Sequence, residues 1–146
     1  MPLSSVELFW TAFQDGMRDF GGWDLTEADL RFRVLSRVNF RGAGLQRADM
    51  YGEDLCGANL GDADLRSANL EKTNLEDAWL AGANLSGATQ GSANLAGADL
   101  SRVDLTHTTL AAARLAGANV TDARLSDTDL EGEDLIGFDL EQVILK

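Results

Sequence analysis

Carboxylates are the most abundant side chains here that could do chemistry, but no two of them are set apart as a catalytic pair. The 146 residues include 24 Asp and Glu against 12 Lys and Arg, a net charge of −12 at pH 7. Acid–base catalysis needs carboxyl groups whose surroundings push their pKa values apart, and these acids recur without an apolar pocket. His107 is the only histidine, so neither a histidine cluster for zinc nor a Ser-His-Asp triad is supported. We predict a protein that is not an enzyme and has no cofactor and no metal.

The charge is distributed unevenly along the chain. Residues 1–47 hold six acids and six bases, whereas residues 48–146 hold eighteen acids and six bases. Five arginines lie near the start, at Arg31, Arg33, Arg37, Arg41 and Arg47. Near the end, we predict an acidic partner-binding surface formed by Asp122, Asp127, Asp129, Glu131, Asp134, Asp139 and Glu141.

A strict five-residue period positions these side chains. Every fifth residue from Leu25 to Leu145 is apolar except Gln90, and leucine fills twenty-one of the twenty-five positions. Residues five apart share no face on a helix of about 3.6 residues per turn, and on a straight strand they alternate between faces. The leucines share one interior only if the chain turns a corner once per repeat. The pattern therefore predicts a coil wound around a leucine axis.

The other positions of the repeat agree with such a coil. Two residues before the apolar position, Ala occurs fourteen times in twenty-five and is predicted to point inward. One residue before it, Asp or Asn occurs seventeen times and is predicted to face out and bond nearby backbone. Two residues after it, Gly recurs, as a corner with unusual backbone angles requires.

The units Ala-Asn-Leu-Gly-Asp at 58–62, Ala-Asp-Leu-Arg-Ser at 63–67 and Ala-Asn-Leu-Ser-Gly at 83–87 resemble those of the pentapeptide-repeat family. The resemblance covers residues 18–145. It implies that four units form one square coil, so that residues twenty apart stack. The implied fold is an all-β solenoid, a right-handed quadrilateral parallel β-helix of about six coils at roughly 4.8 Å each.

We divide the chain into a capping helix at residues 1–17 and a repeat region at residues 18–146, which form one domain. Ser4 and Ser5 suit a helix N-cap, and the apolar residues that follow at three-to-four spacing predict an amphipathic helix over residues 5–16. A helix on a membrane surface is the alternative, but Glu7, Asp15 and Asp19 against Arg18 disfavour it.

The last coil departs from the repeat. Ile136 and Ile144 occupy outward slots, Phe138 replaces the inward Ala, and Val143 follows close by. A bare apolar end favours a homodimer interface formed by Ile136, Phe138, Val143 and Ile144, which agrees with family members that dimerise through the C-terminal coil. A monomer whose end collapses locally is the alternative.

Two polar features stand in predicted inward positions. Arg33 and Glu53 lie twenty residues apart in slots that Ala usually holds, so we expect a stacked internal ion pair. Gln90 lies in the leucine ladder, and we expect its amide to bond neighbouring backbone or a water; a ligand site there is the alternative. Trp79 and Tyr51 are expected to face outward.

The predicted function is a non-enzymatic protein-interaction scaffold, a rigid acidic rod that binds a protein partner. The alternative is a DNA mimic, because several members of the resembled family bind type II topoisomerases such as DNA gyrase and protect them from quinolones or toxins. Those members tend to have Phe at central positions, whereas this chain has Leu. Direct nucleic-acid binding conflicts with the net charge. The absence of a long apolar run and the single Cys56 favour a cytoplasmic protein without membrane contact.

Overall fold

The computed structural model describes residues 4–128 and 140–144. The chain begins with one α-helix, α1, at Ser5–Gln14, and a short 3₁₀ helix at Leu140–Gln142 lies near its end. Between them the backbone turns a corner every five residues. Six predicted site residues lie outside the described residues: Asp129, Glu131, Asp134, Ile136, Phe138 and Asp139.

Helix α1 starts at a capping box. The Ser4 hydroxyl accepts a hydrogen bond from the Glu7 N–H at 3.3 Å, and the Glu7 carboxylate accepts one from the Ser4 N–H at 2.7 Å. These bonds satisfy backbone donors that the first turn leaves without partners. The Glu7 carboxylate accepts hydrogen bonds from the Ser4 N–H and from the Ser4 hydroxyl, and these two bonds lower the pKa of Glu7. Phe9 is the buried residue of the helix.

Successive coils pair through single-residue parallel bridges. All nineteen bridges of the described residues join positions twenty apart, from Asp19 with Asn39 to Arg124 with Ile144. At Asp49, for example, the N–H donates to the Ala28 carbonyl at 2.9 Å and the carbonyl accepts from the Leu30 N–H at 2.8 Å. Each coil therefore uses its neighbours to satisfy its backbone groups, and four five-residue units make one coil.

A tight turn forms each corner. In one of them, the Ala28 N–H donates to the Leu25 carbonyl at 3.1 Å, and Glu27 between them has φ 59°. All twenty-two such corners from residue 22 to residue 127 have positive φ, at eight glycines and fourteen other residues. A positive φ at the third position is typical of a type II turn. The glycine prediction is confirmed, but the backbone imposes this conformation on every residue type.

The core is a continuous column of side chains inside the coils. The apolar residues of the five-residue ladder are buried from Leu25 to Leu125, and the alanines two positions earlier are buried beside them. At the α1 end the column is aromatic: the Phe9 ring lies 4.5 Å from the Phe20 ring and 5.8 Å from the Phe40 ring, between centroids. The inward positions predicted from the period are confirmed for these apolar ladder residues and alanines.

Candidate interaction surfaces

The outward Asp and Asn side chains mainly hold the corners. The Asp24 carboxylate accepts a hydrogen bond from the Thr26 N–H at 3.1 Å, and Asn39 accepts one from Arg41 in the same way. Amides also link coils, since the Asn39 Nδ2 donates to Asp19 Oδ1 at 2.8 Å. Bonds with Thr26 lower the pKa of Asp24. These side chains stabilise turns, as predicted, and form less of a free acidic surface than the sequence count suggests.

Three residues of the predicted acidic surface are described. Asp122 and Asp127 are exposed at two different corners, and the Asp127 carboxylate lies 3.8 Å from His107 Nδ1. Glu141 lies in the 3₁₀ helix beside the Asp122 corner, where the Asp122 N–H donates to the Gln142 carbonyl at 2.7 Å. The structure thus brings Asp122 close to Glu141 and places Asp127 one corner away.

Two residues of the predicted dimer interface are described. Ile144 is 38% exposed, and its backbone pairs with Arg124 on the preceding coil. Val143 is half-buried against the core. Within the described part of this end, Ile144 is therefore the side chain that exposes apolar surface.

The predicted ion pair between Arg33 and Glu53 is wrong. Glu53 is 1% exposed, and its Oε2 accepts a hydrogen bond from the Arg33 backbone N–H at 2.8 Å. The Arg33 guanidinium instead lies over the Trp10 ring, 4.9 Å from its centroid. Burying both charges costs more than letting the arginine reach solvent along α1. Burial raises the pKa of Glu53 to about 7, and its Oε1 has no partner among the described residues.

Gln90 also differs from the expectation. Its side chain is fully buried, and neither amide atom has a hydrogen-bond partner in the part of the chain that the structure describes. The buried Thr73 is different, because its hydroxyl donates to the Met50 carbonyl at 2.9 Å. An unpaired buried amide costs folding free energy, so Gln90 is a weak point of the core.

A surface that the sequence reasoning missed lies beside α1. Phe32 and Val34 are 70% and 66% exposed, and they flank Arg33. Together with Trp10 and Tyr51 they form what we call the Phe32 surface. A groove of about 480 Å³ between α1 and the coil is lined by Val6, Trp10, Asp29, Arg31, Phe32 and Arg33. A slot-by-slot reading of the repeat contained the signal, because Val34 stands where Asp or Asn is usual and Phe32 where Gly is common.

A second exposed aromatic lies near the middle of the rod. Trp79 is 62% exposed, as its outward slot predicts. It lines a groove of about 260 Å³ together with Arg41, Asn59, Gly61, Asp62, Ala81, Asp99 and Arg102. Arg41 pairs with Asp62 at 3.1 Å. We call this site the Trp79 groove.

Residues 4–128 and 140–144 contain no group of three or more His, Cys, Asp or Glu side chains placed to hold a metal ion. No helix in those ranges has the length and apolar character needed to cross a bilayer. The half-buried Cys56 carries a free thiol, and burial raises its pKa, which lowers its thiolate fraction.

The stacked five-residue turns and their exposed side chains define a β-helical solenoid. A family model for pentapeptide repeats matches the chain in eight copies, over residues 24–62, 54–87 and 93–132. The chain belongs to the pentapeptide-repeat family, and its fold is a right-handed β-helix. Members of this family are in general structural scaffolds for protein interactions.

Several solved structures are similar. A pentapeptide repeat protein of the Arabidopsis thaliana thylakoid lumen is 32% identical with a TM-score of 0.55, over 78% of this chain and 66% of that one. One from Nostoc PCC 7120 is 30% identical with a TM-score of 0.34, over 100% and 99% of the two chains. QnrB1, a plasmid-mediated fluoroquinolone resistance protein, is 19% identical with a TM-score of 0.45, over 88% and 77%. Comparison with curated proteins gives no match.

Proposed function

We propose that this protein is a non-enzymatic scaffold that binds a protein partner on the side of its rod. The observation that carries the proposal is the exposed Trp79 side chain in its groove. The Trp79 backbone makes the same ladder bonds as its neighbours, donating to the Ala58 carbonyl at 2.9 Å and accepting from the Leu60 N–H at 2.7 Å. The backbone pairing at this slot therefore does not depend on the indole, most of which is exposed.

The surroundings of Trp79 have the composition of a binding hot spot. Tryptophan and arginine are enriched among the residues that dominate protein–protein binding energy, and a polar rim usually surrounds them. Arg41 and Arg102 lie in the same groove, with Asp62 and Asp99 completing its polar lining. A flat indole with charged neighbours supports a protein partner better than a small ligand, because the groove volume of about 260 Å³ lies below the roughly 300–1,000 Å³ typical of ligand clefts.

Site-specific photocrosslinking in the native host tests this function. A benzoylphenylalanine at position 79 should give a crosslink to one protein, identified by mass spectrometry. The matched control is the same probe at Thr109, an outward slot on another face, which should give none. Excess unlabelled wild-type protein should compete, whereas Trp79→Asn should not. Equal crosslinking at both positions, or none at position 79, contradicts the proposal.

Trp79→Asn should leave the fold intact, which makes it a valid non-binding control in the competition experiment. Asn is the ladder residue at equivalent slots, where the Asn69 Nδ2 donates to Asp49 Oδ1 at 3.0 Å and the Asn94 Nδ2 to Asn74 Oδ1 at 3.1 Å. An Asn at position 79 has Asn59 as its neighbour on the preceding coil. Circular dichroism and the urea midpoint should match the wild type.

A DNA mimic directed at DNA gyrase or another type II topoisomerase is the second candidate. The excess of eighteen acids over six bases in residues 48–146 favours it, since B-DNA carries one charge per roughly 1.7 Å of axis. In a supercoiling assay the mimic should inhibit the enzyme or protect it from a quinolone. Changing Asp129, Glu131, Asp134 and Asp139 to amides should abolish that effect, and Glu76→Gln with Asp77→Asn should not. No binding and no protection would remove this candidate.

We also propose that the rod has about six coils capped by α1 and that the protein is cytoplasmic. A further proposal is that the protein forms a homodimer through the C-terminal coil. Ile144 supports the dimer because it is exposed in a slot where Asp or Asn is usual. Ile136→Asp with Ile144→Asp should sediment as a monomer. Val34→Asp, which removes an exposed apolar side chain from an equivalent slot near the other end, is the control and should leave the dimer. A dimer that survives the double substitution places the interface elsewhere.

A further inference from the structure

Residues 32–34 depart from the repeat at three consecutive slots. The corner slot holds Phe32 with φ 56°, a conformation that is unfavourable for a bulky side chain. The inward slot holds Arg33, whose side chain leaves the core, and the outward slot holds Val34. Phe32 and Val34 bury little of their surface, so packing alone does not account for them.

The Phe32 ring is held in place rather than free in solvent. It makes an edge contact with Tyr51, with ring centroids 5.7 Å apart and an interplanar angle of 73°. It also covers Gly52 on the next coil, where an added Cβ would lie 3.1 Å from Phe32 Cε1. Tyr51 is held in turn by Lys72, whose Nζ donates to the Tyr51 hydroxyl at 2.6 Å. A pre-positioned aromatic side chain loses little entropy on binding.

The two arginines of the groove differ in their availability. Arg31 donates two hydrogen bonds to the Asp29 carboxylate, at 2.9 and 2.7 Å, and lies 3.4 Å from Asp49. The Arg33 guanidinium has no hydrogen bond or ion pair within residues 4–128 and 140–144, and it lies over the Trp10 ring. The pKa of Asp29 is lowered mainly by its hydrogen bonds with Arg31 and, to a smaller extent, by the charge of Arg33. Arg33 therefore presents a cation, without a hydrogen-bonded partner among the described residues, in the groove that Trp10 and Phe32 also line.

We propose that the Phe32 surface docks an acidic segment of a partner protein. An aromatic or aliphatic side chain of that segment enters the groove between Trp10 and Phe32, and a neighbouring carboxylate pairs with Arg33. The groove volume of about 480 Å³ lies within the range of roughly 300–1,000 Å³ typical of ligand clefts. The inference rests on the proposed scaffold function and assigns to it a second site with a defined partner chemistry.

The net charge of the chain favours a protein segment over a nucleic acid as the molecule that binds this surface. A single-stranded nucleic acid also stacks on aromatic side chains and pairs with arginine. The chain has a net charge of −12, which repels a long polyanion but opposes a short acidic segment much less. A carboxylate next to an apolar side chain fits a groove lined by Trp10 and Phe32 in which the Arg33 guanidinium has no hydrogen-bonded partner among the described residues.

A peptide selection on the full chain tests the proposal. Random peptides displayed on phage are panned against the protein, and enriched sequences are synthesised and titrated in heteronuclear NMR spectra. We expect sequences with Asp or Glu close to Phe, Tyr, Leu or Ile, and shifts of the Trp10 indole signal. Arg33→Gln and Phe32→Asn should each weaken binding at least tenfold, about 1.4 kcal/mol, and Trp79→Asn should not.

Glycine variants provide a matched control that leaves the binding side chains unchanged. Gly52→Ala and Gly42→Ala place an alanine at the same φ of 66°, but only the first meets the Phe32 ring, because nothing lies within 4 Å of the Gly42 position. Both should lose similar stability. Only Gly52→Ala should weaken peptide binding, since it displaces Phe32.

The possible results separate this site from the scaffold function. Selected peptides that bind but depend on Trp79 alone overturn the Phe32 site and leave the scaffold function standing. Peptides without acidic residues, or insensitive to Arg33→Gln, overturn the assigned chemistry. If oligo-dT binds with dependence on Arg33 while no peptide does, the site recognises nucleic acid and the proposal is wrong. A selection that enriches no peptide for this surface also overturns it.

Discussion

Residues 32–34 and residues 72–74 occupy the same three slots of the repeat, two coils apart, and they use them in opposite ways. At the second site Lys72 takes the corner with φ 57°, Thr73 is buried and donates to the Met50 carbonyl, and the Asn74 Nδ2 donates to Asp54 Oδ1 at 3.2 Å. At the first site Phe32 and Val34 are exposed and Arg33 leaves the core. Both corners have positive φ, but their backbone hydrogen bonds differ. The Thr73 N–H donates to the Leu70 carbonyl at 3.1 Å, whereas the Arg33 N–H donates to Glu53 Oε2 at 2.8 Å.

The difference separates the residues that the coil needs from those that it tolerates. A coil needs a small or hydrogen-bonded inward residue and a residue that accepts positive φ, and an amide or carboxylate in the outward slot adds further bonds. Residues 72–74 meet all three conditions. Residues 32–34 keep the positive φ of the corner, but Glu53 supplies the acceptor for the Arg33 N–H. Phe32 and Val34 stay exposed, so their side chains are available for binding. Where a repeat protein departs from its own pattern without gaining packing, the departure points to function.

The largest expected effect on stability comes from Glu53. Its slot lies between those of Arg33 and Thr73, twenty residues away on either side. Burial raises its pKa from 4.5 to about 7, so the folded state binds more protons than the unfolded state between these values. The free energy of unfolding should therefore fall as pH rises from about 4.5 to about 7, by about 3 kcal/mol for this group. Glu53→Gln should remove that fall in urea titrations at several pH values.

The control for Glu53 is Glu71→Gln, which changes an exposed carboxyl group of the next coil. It should keep the wild-type pH dependence. If Glu53→Gln retains the full decline between pH 4.5 and 7, the carboxyl group is not titrating in the buried environment described above.

Gln90 gives the next largest effect. Gln90→Leu restores the ladder between Leu70 and Leu110 and removes an amide without partners, so the free energy of unfolding should rise by about 1–3 kcal/mol. Thr73→Val is the matched control, because it removes a buried polar group that is hydrogen-bonded, and it should not stabilise the fold. Guanidinium denaturation measures both variants. A loss of stability in Gln90→Leu would mean that the amide has bonding partners in solution.

Phe32→Asn gives the smallest expected change in stability. Asn tolerates positive φ better than Phe, and little buried surface is lost, so the free energy of unfolding should stay the same or rise by up to about 1 kcal/mol. Ala112→Asn is the control, since Ala112 lies at the same type of corner with φ 57° and is exposed. A loss above about 1 kcal/mol in Phe32→Asn alone would show that the ring stabilises the coil, and would weaken the comparison with Lys72.

The repeat alone predicted which side chains face the core and which face solvent. Leu25 to Leu125 and the alanines beside them are buried as expected, because the alternation around a bridge and the corner after it are local properties of five residues. The turn-forming role of Asp24 and Asn39 was predicted for the same reason, since each bonds the backbone two residues later. The twenty-residue coil came from resemblance to the family, and the bridges agree with it.

The final positions of the Arg33 and Glu53 side chains could not be predicted from their spacing. The sequence places them in neighbouring inward slots, but the position of Trp10 on α1 decides that the guanidinium leaves the core while the carboxyl group stays. The same long-range packing creates the groove beside Phe32, and the adjoining coils leave Gln90 without partners. A five-residue pattern determines whether each slot starts inward or outward, because that depends on the local backbone. The partner that a side chain meets depends on residues brought together from other coils and from α1, and only the tertiary structure decides it.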